Sequence, residues 1–351
     1  MTAKIAKLGI LWLATLSLNA RAQLTATDAA NAYQQYFQSE VKPFYEQSGK
    51  SSQFKGEKGL TIRYRTFINP QAIGSITVSP GQGEPFQKYA EVAYDLYRQG
   101  YSVFMIDHRG QGTSDRSLPD ATKQYVDSFD NYVYDLKTFF NTVVMNSPGP
   151  RFLLAHSMGG CIAAFYAELY PEDFKAIVLS SPMLKIKLLH PDTGKPVAEP
   201  LALALLAKRE YWDRTGTDFA GKAKDPAFDV FGADSLTHDL GRWQMYHDLR
   251  LANKNLRLFG TTNHWVRESV STSIFVRTRD MALQARVPIL LFQAGEDSLI
   301  LPEGQAEFCQ NAPACKLQLV PGAGHEILME TDAIRAPVMN QTLDFFKAHA
   351  Q

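Results

Sequence analysis

Two rhythms of apolar residues run along this chain, and they alternate. Residues 27–46 carry Ala30, Tyr33, Phe37, Val41 and Phe44 at helical intervals, which predicts an amphipathic helix. Residues 60–67 switch to strict alternation, as in a half-exposed strand, and residues 72–78 form a more continuous apolar run, as in a buried one. A glycine-rich loop follows, then a helix over 85–98 with Tyr89, Val92, Ala93 and Leu96 on one face. The pattern repeats as a strand at 101–106, a helix at 126–145, a strand at 151–156 running into another helix, and a strand at 176–181. Strand-helix alternation of this kind predicts a mostly parallel sheet wrapped by helices.

From 182 to about 273 the alternation stops. That stretch shows no clear strand and is rich in large apolar side chains, among them Leu184, Ile186, Tyr211, Trp212, Trp243 and Trp265. Such an insertion, placed after the strand that follows 151–156, is expected to be a helical lid that packs on itself and lines a pocket. Alternation resumes with a strand at 287–294, a helix at 303–309, a strand at 317–320 and a final helix at 332–349. The expected organisation is a leader over 1–22, an N-terminal helical extension over 23–53, a core in two parts (54–182 and 274–351), and the lid over 183–273.

Composition narrows the function classes. The chain has 351 residues, 45% apolar and 21% charged, enough for one α/β domain with an insertion. Its 36 basic and 36 acidic residues leave no basic excess of the kind nucleic acid requires. Lys4 and Lys7 precede an apolar stretch over 8–18 and then Ala20-Arg21-Ala22, the signature of a signal peptide with an A-x-A cleavage site, with an uncleaved anchor as the alternative. The expected location is therefore periplasmic or secreted, with peripheral membrane contact compatible with the rest of the chain. Export also changes the reading of the cysteines: Cys309 and Cys315 are spaced for a small disulfide loop, whereas Cys161 reads as a core residue.

The chemistry centres on Ala155-His156-Ser157-Met158-Gly159, a version of G-x-S-x-G in which alanine replaces the first glycine. This motif is a sharp strand-to-helix turn that lifts a serine hydroxyl above the sheet. The hydroxyl is nearly inert alone and needs a base, and the base needs a carboxylate to fix its tautomer. Asp297 follows the strand at 287–294 and His325 follows the strand at 317–320, so serine, acid and histidine fall on strand-end loops in α/β-hydrolase order. Glu296 is the neighbouring rival for the acid. The backbone N–H groups of Met158 and Gln82, the latter in the loop 79–84, are the expected oxyanion donors. Asp107 and Arg109 read as structural, and His156 as a packing residue beside the nucleophile. No histidine-carboxylate cluster has metal-ligand spacing, so neither a metal nor another cofactor is expected.

Several longer runs then become informative together: Lys88-Tyr-Ala-Glu-Val-Ala-Tyr-Asp-Leu96, Ile106-Asp-His-Arg-Gly-Gln-Gly112, Leu154-Ala-His-Ser-Met-Gly-Gly160, His264-Trp-Val-Arg-Glu-Ser269 and His325-Glu-Ile-Leu328. The chain resembles the bacterial lysophospholipases of the L-two type, within the monoacylglycerol-lipase-like serine hydrolases, from about residue 54 to the C-terminus. The resemblance implies an α/β-hydrolase fold, with Ser157 as nucleophile, Asp297 as acid and His325 as base. It also implies a lysophospholipid or other monoacyl lipid as substrate. Pro80-Gly81 stands where monoacylglycerol lipases carry His-Gly, which points away from monoglyceride specificity. Within the lid, His264, Trp265 and Arg267 are the expected substrate contacts, with Arg267 meeting the phosphate. Other hydrolases on the scaffold (a monoacylglycerol lipase, a carboxylesterase, a proline iminopeptidase) and a non-catalytic lipid-binding protein remain as alternatives.

Overall fold

The computed structural model describes residues 26–190 and 193–351, so the leader read over 1–22 lies outside the described residues. The chain opens with α1 (Ala26–Tyr36), a π-helical turn (Phe37–Val41) and α2 (Lys42–Ser48). It then builds β1 (Gly49–Lys55), β2 (Thr61–Phe67), β3 (Gly74–Ser79), α3 (Ala90–Arg98) and β4 (Tyr101–Ile106). The short β5 (Lys123–Gln124), α4 (Asp130–Phe139), β6 (Arg151–His156), α5 (Ser157–Leu169) and β7 (Ala176–Ser180) follow. One eight-stranded sheet runs in the order β1-β2-β4-β3-β6-β7-β9-β10, closed by β9 (Ile289–Ala294) and β10 (Cys315–Val320). Every pairing from β4 to β10 is parallel, whereas β1 and β2 join antiparallel.

The sequence of β6 explains its place at the centre. Leu153 and Ala155 pack into the core on one face of the sheet, and Phe152 and Leu154 into the core on the other. A strand covered on both faces by helices reads as an unbroken apolar run. The first face is covered by α4 and α5, and the second by α3 and by α11 (Asp332–Ala348).

Between β7 and β9 lie α6 (Glu199–Asp213), α7 (Leu240–Ala252), β8 (Gly260–Thr261), α8 (Asn263–Arg277) and α9 (Arg279–Ala282), with α10 (Pro302–Asn311) after β9. Here the structure departs from the sequence expectation in two places. The segment contains a strand after all, because β8 pairs with β5 over two residues each, too short a run to leave a periodic signal. At the other end of the chain, β1 occupies part of the stretch read as helical extension. Its seven residues form an edge strand exposed along most of its length, so no apolar alternation marked it. Among the described residues, no helix is long and apolar enough to cross a membrane.

Candidate active site

Ser157 sits where β6 stops and α5 begins, with a backbone φ of +52°. A left-handed φ is unfavourable for a residue with a β-carbon, and the close packing around the turn sustains it. Gly159 and Gly160 make that packing feasible. A β-carbon at Gly159 would lie 2.3 Å from the Ser79 carbonyl oxygen, and one at Gly160 would lie 2.7 Å from Pro182 Cβ. The end of β3 and the start of α5 are thus in backbone contact, which brings the loop after β3 against the first turn of the helix.

The two loops carrying the other candidate residues are stapled together. Gly295 N–H donates to the Val320 carbonyl at 3.0 Å, and Glu296 N–H to the Ala323 carbonyl at 2.8 Å. Across this junction His325 Nδ1 lies 2.8 Å from Asp297 Oδ2, and His325 Nε2 lies 2.8 Å from Ser157 Oγ. Asp297 Oδ1 also accepts the N–H groups of Leu299 and Ile300, each at 2.9 Å. Burial raises the Asp297 pKa, but its bond to His325 and these N–H donors outweigh burial and hold it below the ordinary carboxylate value. An ionised carboxylate on Nδ1 keeps the proton there and leaves Nε2 free to accept from the serine. Glu296 points elsewhere: its side chain is 62% exposed and lies 3.7 Å from His238, so Asp297 is the acid that faces His325.

The loop over Ser157 is held by a buried network. Glu84 accepts the Gly81 N–H at 2.6 Å and the Tyr89 hydroxyl at 2.6 Å, and pairs with Lys88 at 2.7 Å. Lys88 reaches Glu326, the residue after His325, at 2.6 Å. Gly83 N–H donates to Gln111 Oε1 at 3.0 Å. The Gln82 N–H between these two pinned neighbours has no protein acceptor among the described residues, and Met158 lies in the first turn of α5, where helix N–H groups have no intrahelical partner. Both expected oxyanion donors therefore border Ser157 with unused N–H groups. His156 does more than pack. It lines the same cavity, its ring is 4.9 Å from that of His325, and burial pushes its pKa down to about 4, so it is neutral there.

A cavity of about 320 Å³ opens on Ser157 and His325, walled by the insertion through Met183, Ile186, Leu236, Leu256 and Trp265. Of the three expected lid contacts, Trp265 is on this wall, and its indole N–H donates to the Tyr132 hydroxyl at 3.1 Å. The other two are corrected. His264 stacks on Tyr125 and faces the Asp127 carbonyl at 3.2 Å, and Arg267 binds Glu210 at 2.8 Å, so neither borders the cavity. The charged lining residues Lys187, Arg250, Glu84 and Glu326 were not picked out from the sequence as site residues, and Tyr246 read only as one of the insertion's apolar side chains. Only the i, i+4 spacing of Glu84 and Lys88 in apolar surroundings carried a signal, that of a buried ion pair.

Cys309 and Cys315 form a disulfide with Cα atoms 5.0 Å apart, joining α10 to β10. Cys161 is buried on α5, and burial pushes its thiol pKa well above the ordinary value, which leaves it a poor nucleophile. Among the described residues no group of three or more His, Cys, Asp or Glu side chains is arranged to hold a metal ion.

The family model described as serine aminopeptidase, S33, matches residues 70–332, which contain all three residues of the Ser-His-Asp chain. The chain belongs to this family. Among its curated relatives, lysophospholipase L2 of Escherichia coli (strain K12) is 32% identical over 332 residues, covering 91% of this chain and 93% of the relative. Monoglyceride lipase of Saccharomyces cerevisiae is 27% identical, covering 79% and 85%. The crystal structure of a soluble variant of that yeast lipase with a substrate analogue superposes with a TM-score of 0.63 at 19% identity, covering 86% of this chain and 96% of the other. The fold is that of the α/β hydrolases.

Proposed function

We propose that this S33-family hydrolase is a lysophospholipase that cleaves the remaining acyl ester of a monoacyl phospholipid through an acyl-enzyme on Ser157. The observation that carries the reading is the unbroken hydrogen-bonded chain Ser157–His325–Asp297, whose Ser157 and His325 line a cavity walled in part by apolar side chains of the insertion. Its likeness to lysophospholipase L2 over most of both chains supports the substrate class. Ser157 Oγ attacks the ester carbonyl as His325 Nε2 takes its proton. The oxyanion is received by the N–H groups of Met158 and Gln82, each worth roughly 3 kcal/mol of barrier. The resulting imidazolium, steadied by Asp297, protonates the departing glycerol oxygen, and water then repeats the sequence to release the fatty acid. Each methylene of the acyl chain buried against the apolar wall contributes about 0.8 kcal/mol, which favours long chains over acetate.

Hydrolysis of monoacylglycerols is the second reading, favoured by the likeness to the yeast lipase. We also propose export from the cytoplasm, a reading supported by the leader pattern over residues 1–22 and by the disulfide between Cys309 and Cys315, which suits an oxidising compartment. Purified protein offered oleoyl lysophosphatidylethanolamine, monoolein and a short-chain ester side by side is expected to show the highest kcat/KM on the first. A preference for monoolein would replace the first reading with the second.

A further inference from the structure

The wall of the cavity above Ser157 carries two cations that the hydrolytic chemistry leaves unused, Lys187 from the segment after β7 and Arg250 from α7. Arg250 stands one helical turn after Tyr246, and its Cζ lies 4.3 Å from the centre of the Tyr246 ring. That ring is fixed in turn, because the Tyr246 hydroxyl donates to the Gly83 carbonyl at 2.8 Å. The guanidinium is therefore held against an anchored aromatic face beside the oxyanion loop.

Arg250 is poorly partnered for so enclosed a charge. Its side chain is 13% exposed, yet its one carboxylate partner among the described residues, Asp229, is 3.5 Å from Nη1. Asp229 has a closer partner in Lys224, at 2.8 Å. The Arg250 Nε is buried without an acceptor among the described residues. A charged N–H left in that state is costly, and an anion entering the cavity would relieve it. Glu84 and Glu326, the carboxylates on the same wall, are both engaged by Lys88. Lys187 is exposed and has no acceptor among the described residues.

We propose that Arg250, assisted by Lys187, binds the phosphodiester of the substrate headgroup while the acyl ester lies over Ser157. The inference rests on the lysophospholipid reading and moves the phosphate contact from Arg267, which Glu210 occupies, to α7. In a monoacyl phospholipid only the glycerol backbone separates ester from phosphate, so one cavity accommodates both. The forked guanidinium matches two phosphate oxygens at once. An uncharged monoacylglycerol leaves Arg250 unpaired, so the same side chain that binds one substrate disfavours the other.

The test is the ratio of kcat/KM for oleoyl lysophosphatidylethanolamine to that for monoolein, measured for wild type, Arg250→Met and Arg250→Lys. Arg250→Met is expected to lower the ratio about 10- to 100-fold, chiefly through KM for the phospholipid, with Arg250→Lys between the two. Glycerophosphoethanolamine should inhibit monoolein hydrolysis by wild type and do so at least tenfold more weakly for Arg250→Met. A ratio unchanged in both variants, while wild type hydrolyses the lysophospholipid, overturns the anchor and leaves the functional reading standing. A wild type active on monoolein alone overturns that reading and the anchor with it. Should Arg250→Met fail to fold, Arg250→Lys decides: a fixed ratio and fixed inhibition contradict the proposal.

Discussion

Ser157 at φ +52° and Glu168 on the same helix are both held where isolated residues of their type would not stay. For Ser157 the surroundings explain it: glycine-mediated backbone contacts fix the turn, and the hydroxyl gains His325 as partner. Glu168 has no such compensation. It is 5% exposed, both carboxylate oxygens are buried without a protein partner among the described residues, and burial raises its pKa from 4.5 to about 9. The folded state therefore binds a proton that the unfolded state releases. Stability from this group is fully present below about pH 4.5 and is lost as pH rises towards 9. At pH 8 the cost is on the order of 5 kcal/mol. Glu168→Gln removes the ionisation and buries an amide at either pH, so its effect on stability should be roughly 5 kcal/mol more favourable at pH 8 than near pH 4. Urea unfolding at the two pH values checks this, and an equal effect at both would contradict it.

At the scale of elements, the site depends on how closely β3, β6 and α5 approach one another. Gly159 is the contact point, with the carbonyls of Ser79 and Pro80 within 2.5 Å of any β-carbon placed there. Gly159→Ala must push the β3 loop away, at a cost of about 3 kcal/mol, and should displace the Gln82 N–H in the same movement. A lowered Tm together with a fallen kcat is the expected result, and a variant with wild-type Tm and kcat would show the contact to be loose. The central strands were legible in the sequence because burial on both faces writes continuous apolar runs, as in Phe152-Leu-Leu-Ala155. β1 was not, since an exposed edge strand such as Gly-Lys-Ser-Ser-Gln-Phe-Lys needs no apolar alternation. The motif at 264–269 misled in another way: its arginine looked free to meet substrate, but Glu210, 57 residues away, occupies it.

At the scale of the whole molecule, the site is assembled from loops that meet only when the sheet forms. Ser157, Asp297 and His325 could be proposed from sequence because each follows a recognisable strand, and strand ends of a parallel sheet converge at one edge. Arg250 gave no such sign, and Tyr246 read only as one apolar residue of the insertion. Their positions follow from how the segment between β7 and β9 folds back over the cavity, a matter of long-range packing that local pattern does not encode. The same assembly implies that the serine should be reactive only in the intact fold. Peptide mapping after treatment with a fluorophosphonate probe tests this most directly. One adduct is expected, on Ser157, lost in Ser157→Ala and after unfolding in urea, and formed at least a hundredfold more slowly in His325→Ala. Modification at another residue, or labelling of Ser157 at an undiminished rate without His325, would contradict the account.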